Sequence, residues 1–407
     1  MIRSCKKAQS PQVWAVLAVS VLILAFASGQ AAQAQTFTIL HTFVSGSDGA
    51  QPIYWPTPDA SGNLYGVTSS GGCNPACNYG TVYKVTAGGA ESIMHVFPTG
   101  SNDGENPSSP LLIDPSGNLY GTTQNGGTPI NGCTPPPPGA TGCGTVYRLT
   151  AAGTETILYN YSPSSTVQFP MGPFVLYGNK LFGAATGPNQ QNGDSGDGVI
   201  YGLSPAGIDV FHQFTGGDDG ANPQSGVIRD KSGNVYGTTY LGGTSGLGTI
   251  FKIDTSGNKT VLYNFAGTDG AYPDTPLLMD SAGNFYGATY EGGSFLVGTL
   301  FKLDTSNTLT VLYNFVGGTS GAYPSGNLYR DPSGNLYGST LQGGGSKDGT
   351  VYMLSAAGTE TVLHAFTGTP DGATPSGVSY FRGALYGTTS AGGDATCQCG
   401  TLYKISR

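Results

Sequence analysis

Three short motifs recur in fixed order along this chain, seven times each, and this recurrence limits its fold more than any other feature. The first is Gly62-Asn63-Leu64-Tyr65-Gly66, with relatives ending at Gly121, Gly183, Gly237, Gly287, Gly338 and Gly387. The second is Gly80-Thr81-Val82-Tyr83-Lys84, echoed from Gly144, Gly198, Gly248, Gly298, Gly349 and Gly400. The third is Ile39-Leu40-His41-Thr42-Phe43, echoed from Ile93, Ile157, Val210, Val261, Val311 and Val362. Successive copies of the first motif lie 49 to 62 residues apart. A period of about 50 residues belongs to propeller blades, whereas leucine-rich and helical repeats are shorter.

Each motif alternates as a strand does. In Val261-Leu262-Tyr263-Asn264-Phe265 the first, third and fifth side chains share one face. The stretches between motifs are turn chemistry: Asp-x-Ser-Gly-Asn at 114–118, 230–234 and 331–335 reads as a hairpin turn. A further strand follows Asp-Gly-x-x-Pro, as at 103–107 and 269–273. The unit is therefore strand A after the proline, B at Leu-Tyr-Gly, C at Gly-Thr-Val-Tyr and D at Val-Leu-Tyr-Asn-Phe, which makes one blade. Composition agrees. With 67 Gly and 10 % charged residues the chain lacks the Ala, Leu, Glu and Lys of a helical protein, and 24 Tyr with 17 Phe exclude disorder. The glycines follow no three-residue period, which excludes collagen.

The repeat is out of phase with the chain. It begins on a D-type strand, 37–43, and ends on a C-type strand, 400–405. An open stack would need caps at both ends, whereas a ring uses the offset strand to leave no edge. The expectation is an all-β, seven-bladed β-propeller of four-stranded antiparallel blades, with the N-terminal strand completing the last blade.

The Gly-Asn-Leu-Tyr-Gly, Gly-Gly and Gly-Thr-Val-Tyr-Lys motifs resemble the Gloeo/Verruco repeat of exported bacterial proteins, over essentially all of the chain after residue 34. The resemblance implies a propeller and export but transfers no activity and no site. The third unit departs most, because 162–173 lacks Asp-Gly-x-x-Pro and 178–183 carries an extra residue.

Residues 1–34 read as a signal peptide. Arg3, Lys6 and Lys7 precede an apolar run at 13–27, and Ala32-Gln33-Ala34 offers a cleavage site before Gln35. A membrane anchor is the other reading, but the run is short of the ~20 residues a span needs. Cleavage would remove three of 16 basic and none of 24 acidic residues, so 13 minus 24 leaves −11. Such a chain repels phosphate backbones and anionic lipid. Residues 35–407 are then one propeller, secreted or periplasmic and monomeric, with no nucleic-acid or membrane partner.

Candidate chemistry is sparse. His41, His95, His212 and His364 all hold the third place of the D motif, where the other units have Tyr159, Tyr263 and Tyr313, so the position reads as packing or surface. On four different blades, the histidines cannot converge on one metal or nucleophile. No cofactor motif is present. Asp48, Asp103, Asp219, Asp269 and Asp371 head the Asp-Gly loops as turn residues, or as a ring for cations or sugar hydroxyls. Strand order places the D–A and B–C loops on one rim. That rim receives Tyr240, Tyr272, Tyr290 and Tyr323, which with Asp219 and Asp269 form the candidate ligand face, for a glycan or a protein. Arg229 and Arg330 fall on the opposite rim. The preferred reading is a non-catalytic binding or scaffold module. The alternative is a polysaccharide-active enzyme with paired carboxylates facing across the central channel. Of seven cysteines, Cys5 leaves with the leader, and Cys73, Cys77, Cys133, Cys143, Cys397 and Cys399 remain in B–C loops. Export predicts disulfides Cys73–Cys77 and Cys133–Cys143, with Cys397 and Cys399 either joined or crossing to Cys73 and Cys77.

Overall fold

The computed structural model describes residues 35–72, 79–98, 102–128, 142–162, 167–187 and 197–406. Within them the motifs build seven antiparallel sheets in the order A-B-C-D. In blade 4 these strands are Val227–Arg229, Val235–Thr239, Thr249–Ile253 and Lys259–Asn264. The B strand is buried along its whole length, while the D strand is half-buried with one exposed residue. Blade 7 pairs Ala373–Phe381, Ala384–Ala391 and Thr401–Ser406 with the N-terminal strand Thr36–Thr42. The register sets Phe37 opposite Ile405 and Thr42 opposite Thr401. The ring is closed by the first strand, as the phase of the repeat requires.

Motif B and motif C are complementary in shape. A Cβ on Gly287 of the Leu-Tyr-Gly position would lie 2.5 Å from Phe301 Cζ of the facing C strand. Only glycine leaves room for that aromatic ring. Beside it, Thr289 and Thr299 join their hydroxyls at 2.9 Å, and the same buried threonine pair recurs in six blades. Aromatic and aliphatic side chains fill the wedge between blades, as with Tyr236, Phe265, Phe285 and Phe301 between blades 4 and 5. Each such side chain contributes roughly 1.5–3 kcal/mol when fully removed from water.

Asp-Gly-x-x-Pro and Gly-Thr-Val-Tyr prove to be two halves of a joint between blades. The residue before the proline is left-handed in every blade: Gln51, Asn106, Phe169, Asn222, Tyr272, Tyr323 and Thr374 have φ between 53 and 59°. That conformation is uncommon for a side-chain-bearing residue. It is held by a backbone hydrogen bond to the preceding blade, such as Tyr272 N–H to Leu247 O at 2.9 Å and Tyr323 N–H to Val297 O at 2.9 Å. The proline then lies on the glycine that opens the neighbouring C strand. A Cβ on Gly298 would meet Pro324 Cδ at 2.5 Å, and equivalent contacts occur at Gly80, Gly198, Gly248, Gly349 and Gly400.

Two refinements follow. In blades 2 and 5 strand A is two short pieces, Gly104–Pro107 with Leu112–Ile113 and Ala271–Pro273 with Leu278–Met279, so pairing starts ahead of the proline rather than after it. The third unit lacks Asp-Gly but keeps the left-handed residue and proline as Phe169-Pro170, where strand A, Pro170–Tyr177, begins.

Candidate functional site

The joint brings tyrosines of neighbouring blades together. Tyr240 at the end of strand B in blade 4 stacks on Tyr272 of the next D–A loop, with ring centroids 5.0 Å apart and planes at 24°. Tyr290 and Tyr323 repeat the arrangement one blade on, at 5.0 Å and 32°. All four rings are half-buried, each leaving part of its surface to solvent. Burial, followed by the charges of Asp274 and Glu291 and the neighbouring phenols, pushes the Tyr240 hydroxyl up to about 12. Burial and Tyr323, Glu291 and Asp274 raise Tyr290 as well.

Asp274 is the residue that sequence reasoning missed. It follows Pro273 on strand A and lines the central channel, where a cavity of about 300 Å³ is also bounded by Trp55, Met171, Gln224, Ser325 and Ser376. Burial pushes its carboxyl up to about 6, against a hydrogen bond from Gln224 Nε2 at 3.2 Å. The signal was present: the residue after the joint proline is Ile53, Ser108, Met171, Gln224, Ser325 or Ser376 elsewhere, and only here carboxylate. Asp274 is the one carboxylate among the described residues lining this cavity.

Asp219 and Asp269 are engaged elsewhere. In five blades the third residue of the D motif reaches the aspartate that heads the following Asp-Gly loop and clasps it. His212 Nε2 lies 3.0 Å from Asp219 Oδ2, His364 Nε2 lies 2.8 Å from Asp371 Oδ2, and His41 Nε2 lies 3.3 Å from Asp48 Oδ2. The Tyr263 hydroxyl donates to Asp269, and Tyr313 and Ser320 pair their hydroxyls at 3.3 Å. The same carboxylates accept loop amides, from Thr215 to Asp219 and from Ala266 to Asp269, as turn aspartates do. Lys259, buried at the start of the next D strand, also donates to Asp219 at 2.7 Å. The position shared by His and Tyr is thus a clasp rather than simple packing.

One clasp gathers possible metal ligands. His95 Nε2 is 2.9 Å from Asp103 Oδ2 and 3.7 Å from Glu155 Oε1, and the three groups lie within 4.8 Å of one another. Burial raises Glu155 to about 8; the His95 charge opposes this and Asp103 adds to it. Burial works against the His95 imidazolium, but its Asp103 hydrogen bond and the Glu155 and Asp103 charges outweigh it and hold its pKa above the ordinary value.

Of the cysteines, Cys397 and Cys399 are joined to each other, and buried Cys143 is disulfide-bonded. Cys73, Cys77 and Cys133 lie outside the described residues, as do residues 1–34, which the sequence reads as a signal peptide. Arg229 and Arg330 end A strands on the rim opposite the tyrosines, each over an aromatic ring: Arg229 over Tyr177 and Phe182 at 4.0 and 4.4 Å, Arg330 over Tyr286 at 5.1 Å. No helix among the described residues is long and apolar enough to cross a membrane.

The fold is similar to the extracellular domains of two B. thetaiotaomicron proteins. For BT3049, described as a hybrid two-component system, the TM-score is 0.55 at 14 % identity, over 91 % of this chain and 41 % of that one. For BT4673, also described as a hybrid two-component system, it is 0.54 at 13 % identity, over 90 % and 39 %. The chain therefore spans about two fifths of the length of these structures. Curated proteins give no match. The model of the Gloeobacter/Verrucomicrobia repeat matches residues 30–193 and 183–403, and the chain belongs to that repeat family.

Proposed function

We propose that the protein is an exported binding module whose ligand face is the tyrosine rim of blades 4 to 6, and that its ligand is a saccharide. One observation carries the reading: two tyrosine pairs stand on consecutive blades near Asp274, the one carboxylate among the described residues lining the channel cavity. Half-exposed aromatic rings supply apolar stacking for a sugar face, and a carboxylate with Gln224 beside it orients hydroxyls. A lone carboxylate serves binding and leaves out the second acid or base of a glycosidase. The apolar segment within 1–34 supports export, and so does the likeness to extracellular domains of hybrid two-component systems.

The test is a glycan array on the protein from residue 35 onward, followed by calorimetric titration of the best oligosaccharide. Tyr272→Ala and Tyr323→Ala should each weaken binding about fivefold, equivalent to roughly 1 kcal/mol per ring. Arg229→Ala on the far rim should leave it unchanged. Wild-type affinity should rise as pH passes upward through about 6, where Asp274 ionises, and Asp274→Asn should flatten that profile. Binding indifferent to all three rim and channel substitutions would remove this face from consideration.

A further inference from the structure

On the opposite rim, blades 2 and 3 separate to leave a cavity of about 510 Å³. Its walls include Leu158, Leu176, Leu181 and Leu203, and its polar side holds Arg148, Tyr120 and Asp114. We propose that this cavity is a binding site for a small organic carboxylate with an apolar body, separate from the tyrosine face.

Arg148 is a cation outside any ion pair among the described residues. Arg148 sits on strand C of blade 2, Thr145–Leu149, and its Nε is buried without a hydrogen-bond partner. Its Nη2 lies 3.5 Å from the Thr156 hydroxyl and its guanidinium also donates to the Tyr120 hydroxyl, but no carboxylate among the described residues lies within ion-pair distance. The nearby acid, Asp114, is saturated by its own turn. Its Oδ1 accepts the amides of Ser116 and Asn118, and its Oδ2 accepts Asn118 Nδ2 and the Tyr120 hydroxyl. A half-buried guanidinium without a counter-charge costs free energy that an entering anion would recover.

Comparison with the other blades sharpens the point. The position of Arg148 is lysine in four of them, Lys84, Lys252, Lys302 and Lys404, so the planar fork that grips a carboxylate through two bonds occurs once. The other two buried guanidiniums on this rim stack over aromatic rings, as Arg229 does at 4.0 Å and Arg330 at 5.1 Å. Arg148 instead lines a cavity together with four leucines. The grooves beside Arg229 and Arg330 are smaller, about 390 and 410 Å³. Four leucines with one forked cation at the edge make a receptor for an apolar body bearing a terminal anion.

Decanoate is the direct probe, with decylamine and acetate as controls, each titrated calorimetrically into the protein. Decanoate should bind saturably, one per chain, while decylamine and acetate should not. Arg148→Met should weaken decanoate about tenfold. Arg148→Lys, which restores the residue of four other blades and so keeps the fold, should weaken it severalfold. Leu176→Trp should block it by filling the cavity. Tyr272→Ala should have no effect, which separates this site from the tyrosine face. No saturable decanoate binding, equal binding by Arg148→Lys and Arg148→Met as by the parent, or equal binding of decylamine would each overturn the proposal.

Discussion

The joint between blades 5 and 6 and the joint between blades 2 and 3 follow one backbone plan with different side chains. At the first, Tyr323 N–H meets Val297 O at 2.9 Å, Pro324 covers Gly298, and Tyr313 clasps Ser320. At the second, Phe169 N–H to Cys143 O stretches to 3.4 Å, and a Cβ on Gly144 would meet Thr123 O rather than a proline. Blade 3 also replaces the buried threonine pair with Ala185 and Val199. What holds this region is aromatic: Tyr161 and Tyr201 share a buried hydroxyl bond at 2.8 Å, and Phe174 occupies the space beside Gly183. The repeat signature therefore encodes the joints between blades. Where it lapses the ring stays closed through apolar packing, and the Arg148 cavity opens below.

The largest effect should come from obstructing a regular joint. Gly298 has φ of 106°, and a Cβ there would press on Pro324 Cδ and Thr289 O, both at 2.5 Å. Thr289 O is backbone and cannot turn aside. Gly298→Ala should cost about 3 kcal/mol or more, from left-handed strain and overpacking together. Urea unfolding of the purified variant reads this directly. A loss under about 0.5 kcal/mol would mean that the proline contact does not fix the joint.

Removing a clasp should cost less. Asp371 accepts from the Thr367 amide at 2.9 Å and hydroxyl at 2.7 Å, as well as bonding His364. Asp371→Ala should destabilise by about 1–2 kcal/mol, because it leaves partly buried donors unpaired. At the divergent joint Tyr159 has no such loop carboxylate among the described residues, so Tyr159→Phe should fall within about 0.5 kcal/mol of the parent. Equal losses in the two variants would erase the distinction between the joints.

The fold was legible because its signals are local and repeated. Seven copies of Leu-Tyr-Gly and Gly-Thr-Val-Tyr announce the strands, and the leading D strand announces closure. The clasp was half-legible: His41 precedes Asp48 by seven residues, as His212 precedes Asp219 and His364 precedes Asp371, but a hydrogen bond between them depends on how the D–A loop folds back. The four tyrosines were expected to share one rim, but their stacking rests on left-handed Tyr272 and Tyr323, which no propensity for tyrosine would suggest. Asp274 and Arg148 were not singled out, since each is one variant residue at an otherwise ordinary repeat position. Their surroundings exist only once the blades are side by side.

A pH-dependent effect separates two clasps that look alike. Between blades 1 and 2, His95 faces Asp103 and Glu155, while between blades 6 and 7 His364 faces Asp371 with Phe37 stacked on it at 3.7 Å. His95 and Glu155 are both shifted upward, Glu155 to about 8. Groups with raised values bind protons more tightly in the folded state, so their contribution is complete below the unfolded values and is lost as pH rises toward 8. His364 is shifted downward because burial outweighs its Asp371 bond, so its contribution holds above its unfolded value near 6.5 and is lost as pH falls. Glu155→Gln should therefore flatten the decline in stability between pH 5 and about 8, leaving the acid side intact. His364→Asn should flatten the acid side alone. Urea midpoints across this range measure both slopes, and a Glu155→Gln profile parallel to the parent would show that the two clasps titrate as one kind.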